Sequence, residues 1–154
     1  MGEYKTYIDE DDKEQEFTVF IIHGHSEDWR IVERYINKKL HFNTVVLKET
    51  YCSGETIIDK LENMIGDCNC AVAIMSPDDR TSDGKFRARQ NVLFELGYCH
   101  SFYERDVIIL KEESVEMHSD LHGLVYIPYN KGNIETAFAQ LAEGLEDIYE
   151  YEED

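Results

Sequence analysis

Cys70-Ala71-Val72-Ala73-Ile74-Met75 is an unbroken run of apolar residues ending at Ser76-Pro77. No position alternates with a polar one, so both faces of the segment need cover, as in a strand of a parallel sheet. Its small residues suit a central position, and the proline after Ser76 stops the strand.

Weaker copies of the pattern lie on either side. Residues 17–22, Phe17-Thr18-Val19-Phe20-Ile21-Ile22, are almost continuously apolar and rich in β-branched and aromatic side chains. Residues 44–47, 107–110 and 125–127 complete a set of five expected strands, and the proline at 128 marks the last as an edge. Helical periodicity fills the gaps. Residues 27–40 place Ile31, Val32, Tyr35, Ile36 and Leu40 on one face, with Ser26 as the expected N-cap. Residues 55–68 do the same with Ile57, Ile58, Leu61, Met64 and Ile65, and residues 134–149 with Ala137, Phe138, Leu141, Leu145 and Ile148. Strand–helix alternation predicts an α/β domain: one five-stranded parallel sheet with helices on both faces. The loop to about residue 86 and the poorly patterned 111–123, with a turn of helix expected at 119–122, carry no further prediction.

The helix expected after the third strand is unusual. Val92, Leu93, Leu96, Cys99 and Tyr103 form a core stripe, while Asn91, Phe94, Tyr98 and Phe102 gather on the other side with Glu95 near the seam. A helix apolar or aromatic on two sides packs twice or faces a ligand or partner. A carboxylate at such a seam is half desolvated, which suits a reactive acid.

Composition bounds the rest. At 154 residues and 42% hydrophobic, the chain makes one domain with a full core. The boundaries are read as an acidic N-terminal extension at 1–16, the domain at 17–149 and an acidic tail at 150–154. The net charge is −18, and residues 1–16 and 143–154 hold fourteen of the acids against two lysines. An acidic surface argues against a nucleic-acid partner. No stretch has the length of a membrane span and no export signal opens the sequence, so a cytoplasmic location without membrane contact is expected. Cys52, Cys68, Cys70 and Cys99 form no Cys-x-x-Cys, so reduced, mostly buried thiols and no metal are expected.

Ligands of such sheets bind beyond the carboxyl ends of the strands. His23-Gly24-His25 leaves the first strand, and its glycine and free helix-start amides suit a phosphate or ribose. Alone the motif is weak, since turn histidines are more often plain surface residues. It lacks the Gly-x-Gly-x-x-Gly fingerprint, and neither a P-loop nor a Gly-x-Ser-x-Gly elbow occurs. Arg87 and Arg89 could hold a pyrophosphate bidentately, or pair with the acidic surface.

Taken together, Val19-Phe20-Ile21-Ile22-His23-Gly24-His25, Gly54-Glu55-Thr56-Ile57-Ile58, Ser76-Pro77-Asp78-Asp79 and Arg87-Ala88-Arg89-Gln90-Asn91-Val92-Leu93-Phe94-Glu95-Leu96-Gly97-Tyr98 resemble the bacterial TIR-like nucleotide-binding family. Asp120-Leu121-His122-Gly123-Leu124 and Tyr126-Ile127-Pro128 fit its later part. The resemblance implies a flavodoxin-like TIR fold and cleavage of NAD+ at the nicotinamide–ribose bond in antiviral defence. It implies Glu95 as the catalytic acid, His23, Gly24 and His25 at a nucleotide-facing loop, and Asp78, Asp79, Arg87, Arg89 and Asn91 near the cleft. NAD+ is then a substrate and no cofactor is needed. Self-association and a separate sensor or regulator protein are the partners expected. Two other readings stay open: a nucleoside deoxyribosyltransferase-like enzyme, and a non-catalytic nucleotide-binding or self-assembly module.

Overall fold

The computed structural model describes residues 16–47, 56–104, 106–117, 121 and 123–153. The expected loop at 48–54 and most of the expected turn at 119–122 lie outside them. The elements are β1 (Thr18–Ile22), α1 (Asp28–Lys38), β2 (Asn43–Val46), α2 (Ile57–Gly66), β3 (Cys70–Met75), a hairpin of β4 (Asp79–Arg80) and β5 (Phe86–Arg87), α3 (Gln90–Tyr103), β6 (Val107–Glu112), β7 (Ile127–Tyr129), a 3-10 turn (Ile134–Ala137) and α4 (Phe138–Glu153).

Five strands form one sheet in the order β2-β1-β3-β6-β7, with every pairing parallel. β3 is central and all six of its residues are buried. Its alternate side chains feed two cores. Ala71, Ala73 and Met75 face a cluster with Phe20, Leu61, Val92 and Leu96. Cys70, Val72 and Ile74 face another with Val32, Ile36, Leu141 and Leu145. The parallel sheet expected from the strand–helix alternation, and the flavodoxin-like arrangement implied by the resemblance, are therefore the ones found.

Several local expectations are corrected. The last strand begins two residues later than expected, at Ile127, and Val125 is 89% exposed. Pro128 lies within this strand opposite Lys111, which an edge strand tolerates because one side of its ladder is unpaired. Ile57 and Ile58 are 57% and 49% exposed. They occupy the first turn of α2, and the apolar layer starts only at Leu61 and Ile65. That helix is fixed instead by a capping box between Thr56 and Asp59, worth about 1 kcal/mol. Ile31 is 41% exposed; Val32 and Ile36 are the fully buried residues of α1, with Trp29 and Tyr35 partly buried against the same core. Ser26 accepts the Asp28 amide at 3.3 Å, but the helix cap itself is Glu27. α4 runs through Glu153, four residues beyond the expected helix end at Tyr149.

Cys68, Cys70 and Cys99 are buried free thiols. Burial, reinforced by Asp67, pushes the Cys68 thiol up to about 11, so it stays protonated and unreactive near neutrality. No helix among the described residues is long and apolar enough to cross a membrane.

Candidate active site

The chain leaves β1 for β2 on one side and returns to β3 on the other, so strand order reverses between β1 and β3. Loops leaving those two strands diverge and open a crevice at their carboxyl ends. A cleft of about 540 Å³ lies there, lined among others by His23, Gly24 and His25 from the loop after β1, and by Leu47, Asp79 and Arg89. Gln90, Asn91 and Glu95 complete it, so the first two turns of α3 run along the rim. Asn91 and Glu95 are four residues apart and share a helix face. Glu95 is only 8% exposed, beside Val92, Leu96 and Cys99, which belong to the core. Burial, with the Glu95 carboxylate one turn back, pushes the Cys99 thiol up to about 12.

The loop after β1 is fixed by its neighbours. The Asn91 side-chain amide donates to the His23 carbonyl at 3.4 Å, tying the loop to the start of α3. The His23 Nδ1 lies 2.8 Å from the Gly24 carbonyl, and its ring stacks on Trp29. Gly24 sits so close to its surroundings that a β-carbon there meets Asp78 Oδ2 at 1.9 Å and Arg89 Cγ at 3.5 Å. Glycine is needed at this position for close approach, not for an unusual φ.

Of the residues implicated by the sequence, His23, Gly24, His25, Asp79, Arg89, Asn91 and Glu95 line one cleft. Two lie elsewhere. Asp78 is packed behind Gly24, where Ser76 Oγ donates to Oδ1 at 2.9 Å and Oδ2 is buried. It supports the loop rather than lining the cleft. Arg87 is on the β4–β5 hairpin and reaches Glu116 at 3.5 Å. Of the two alternatives for this arginine, charge pairing is the one its geometry realises. The hairpin, antiparallel through Asp79–Arg87 and Arg80–Phe86, stands where only a loop was expected. It docks through the Glu116 amide on the Phe86 carbonyl at 2.8 Å.

Sequence reading missed Trp29, Gln90, Leu47 and Ile21. Ile21 and Gln90 lie within the stretches that carry the resemblance but were not singled out, and Leu47, just past β2, has no motif signal. Trp29, the single tryptophan in the chain, one residue into a helix beside the His-Gly-His turn, was the available signal.

Fold and cleft together define a TIR-type domain. The structure superimposes on the TIR domain of the Toll-related receptor TRR-2 from Hydra magnipapillata with a TM-score of 0.58, at 15% identity over 85% of this chain and 97% of that one. It also matches the diflavin flavoprotein A3 from Nostoc sp. at 0.51, with 14% identity over 88% and 91% of the two chains. These two likenesses concern fold alone. The chain belongs to the TIR-domain family of the CAP12/Pycsar effector proteins, whose family model matches residues 18–131. It is 38% identical over 115 residues to the uncharacterized protein YuaY of Escherichia coli (strain K12), covering 70% of this chain and 38% of that protein. It is 33% identical over 132 residues to protein tirC of Dictyostelium discoideum, covering 73% and 64%. With the Pycsar effector protein PaPycTIR of Pseudomonas aeruginosa it shares 29% over 106 residues, covering 65% and 34%. The chain thus spans about a third to two thirds of the length of these relatives.

Proposed function

We propose that the chain is an NAD+ glycohydrolase that breaks the nicotinamide–ribose bond, acting in antiviral defence as an effector. The observation that carries this reading is the carboxylate of Glu95, 8% exposed and lining a cleft at the strand-order reversal. The substrate's pyridinium is cationic. When the C1′–N bond breaks, its electron pair returns to the ring and nicotinamide leaves neutral, so no general acid is needed at the leaving group. The remaining demand is for negative charge beside the ribose as oxocarbenium character develops, and Glu95 supplies it. Water, or a nucleophilic atom of the ADP-ribose itself, then takes the C1′ position, giving linear or cyclised product.

Arg89 is the cleft's own arginine and suits the pyrophosphate; Arg87 is paired with Glu116. Arg89→Ala is expected to raise the KM for NAD+ about tenfold or more, consistent with loss of a charge-assisted contact. Arg87→Ala is expected to leave KM within about twofold. Equal effects of the two substitutions in steady-state assays contradict this division.

Self-association is part of the proposal. Phe94 and Phe102 are 49% and 58% exposed on α3, an apolar surface on the same helix that carries Glu95. Specific activity is expected to fall on hundredfold dilution, a change of about 2.7 kcal/mol in mass action. Constant specific activity in a sample shown to be monomeric throughout contradicts it. A substrate panel tests the reaction class. NAD+ should be consumed with release of nicotinamide, while base exchange between deoxynucleosides with NAD+ untouched indicates a deoxyribosyltransferase. Binding without turnover at every concentration indicates a non-catalytic module.

A further inference from the structure

His23 is held as a plate. Its imidazole lies flat on the Trp29 indole, with ring centroids 4.4 Å apart and planes 15° from parallel. The indole also carries the Arg30 guanidinium, 5.0 Å from its ring centroid. The Gly24 carbonyl, 2.8 Å from Nδ1, can only accept, so Nδ1 is the donor of that bond and Nε2 is the ring nitrogen left for a ligand. His23 lines the cleft and Trp29 does not. One face of the imidazole is therefore sealed by indole, and the residue that carries it is part of the cleft lining.

We infer that His23, backed by Trp29, is the stacking surface for a planar nitrogen heterocycle, the base of a nucleotide in the cleft, with Nε2 accepting from an exocyclic N–H. This rests on reading the cleft as a nucleotide site. A ring already clamped on one face and hydrogen-bonded at one edge has little rotamer freedom left to lose, so stacking on it costs little order. Both bases of NAD+ have the required chemistry: adenine carries an amino group and nicotinamide a carboxamide. Trp29 touches no ligand in this arrangement. It is a positioning residue that sets the tilt of the imidazole.

The single tryptophan makes the stack observable. The Glu95→Gln protein, used to suppress turnover, is titrated with NAD+, ADP-ribose and nicotinamide mononucleotide while Trp29 emission is followed. Saturable change with NAD+ is expected, shared by ADP-ribose if adenine is the stacked base and by the mononucleotide if nicotinamide is. His23→Ala in the same background is expected to weaken NAD+ binding about tenfold or more by calorimetry, the range typical of one base–aromatic stack. His23→Phe, which keeps the plate, recovers most of that loss, and Trp29→Phe retains more affinity than Trp29→Leu. If His23→Ala does not fold, His23→Leu against His23→Phe makes the same comparison at similar bulk. Unchanged affinity in a folded His23→Ala protein, or no binding of any of the three ligands, overturns the inference. Stacked binding by a wild-type protein that never cleaves NAD+ overturns the glycohydrolase reading but not this one. Cleavage with a KM indifferent to His23→Ala does the reverse.

Discussion

Replacing Glu95 by glutamine is expected to remove NAD+ cleavage while leaving the fold and nucleotide binding nearly intact. Glutamine keeps the length of the side chain and one acceptor oxygen, so the packing around Val92, Leu96 and Cys99 survives. What is lost is the negative charge that faces the developing cation. Removing one preorganised electrostatic stabiliser typically costs about 3–4 kcal/mol, two to three decades in rate. The loss should appear in kcat, with a dissociation constant for NAD+ within a few-fold of wild type. A carboxylate that only helps seat α3 gives the opposite pattern, with a lowered melting temperature and an unchanged rate per folded molecule.

Gly24→Ala is expected to have the next largest effect. The added methyl falls 1.9 Å from Asp78 Oδ2 and 2.9 Å from Asp78 Cγ. Asp78 cannot simply swing aside, since Ser76 holds its Oδ1 at 2.9 Å and its backbone amide donates to the Ser76 carbonyl at 2.8 Å. The loop must move instead, carrying His23 and His25 away from α3 and stretching the Asn91 bond. A displacement of about 1 Å in a binding loop can cost around a hundredfold in catalysis. We expect kcat/KM for NAD+ to fall by about tenfold to a hundredfold. Asp78→Ala introduced with Gly24→Ala relieves the clash and should restore part of the loss, a positive coupling in the double-mutant cycle. Additive effects of the two substitutions show that the contact does not set the loop.

The sheet was largely legible in the sequence because its signal is local. Five apolar runs of strand length, separated by helical patterns, lead directly to the parallel sense observed, and the small residues of β3 suit its central place, whereas the order of the outer strands is found only in the structure. What was not legible depends on geometry beyond the local pattern. The β4–β5 hairpin has two residues per strand, too short for any periodicity. Val125 reads as a strand residue by type, yet pairing with β6 begins only at Ile127. Ile57 has the spacing of a core residue, but the core ends before it.

The cleft shows the same division. Strand-end position together with the family resemblance brought His23, Gly24, His25, Asp79, Arg89, Asn91 and Glu95 to notice, and they line one cleft. No spacing rule could tell Asp78 from Asp79 or Arg87 from Arg89. One of each pair turns toward the loop packing or the hairpin, and the other toward the cleft. That choice is made by the contacts of Gly24 and Glu116, more than twenty-five residues away in sequence.

The most direct test of the account is to incubate the wild-type chain with NAD+ over a range of protein concentrations and to quantify nicotinamide against ADP-ribose, linear and cyclised together. The account predicts that both appear in equal amounts, at a specific rate that rises with protein concentration and falls by two to three decades with Glu95→Gln. NAD+ that remains intact at every concentration while occupying the cleft, or wild-type turnover by Glu95→Gln, contradicts it.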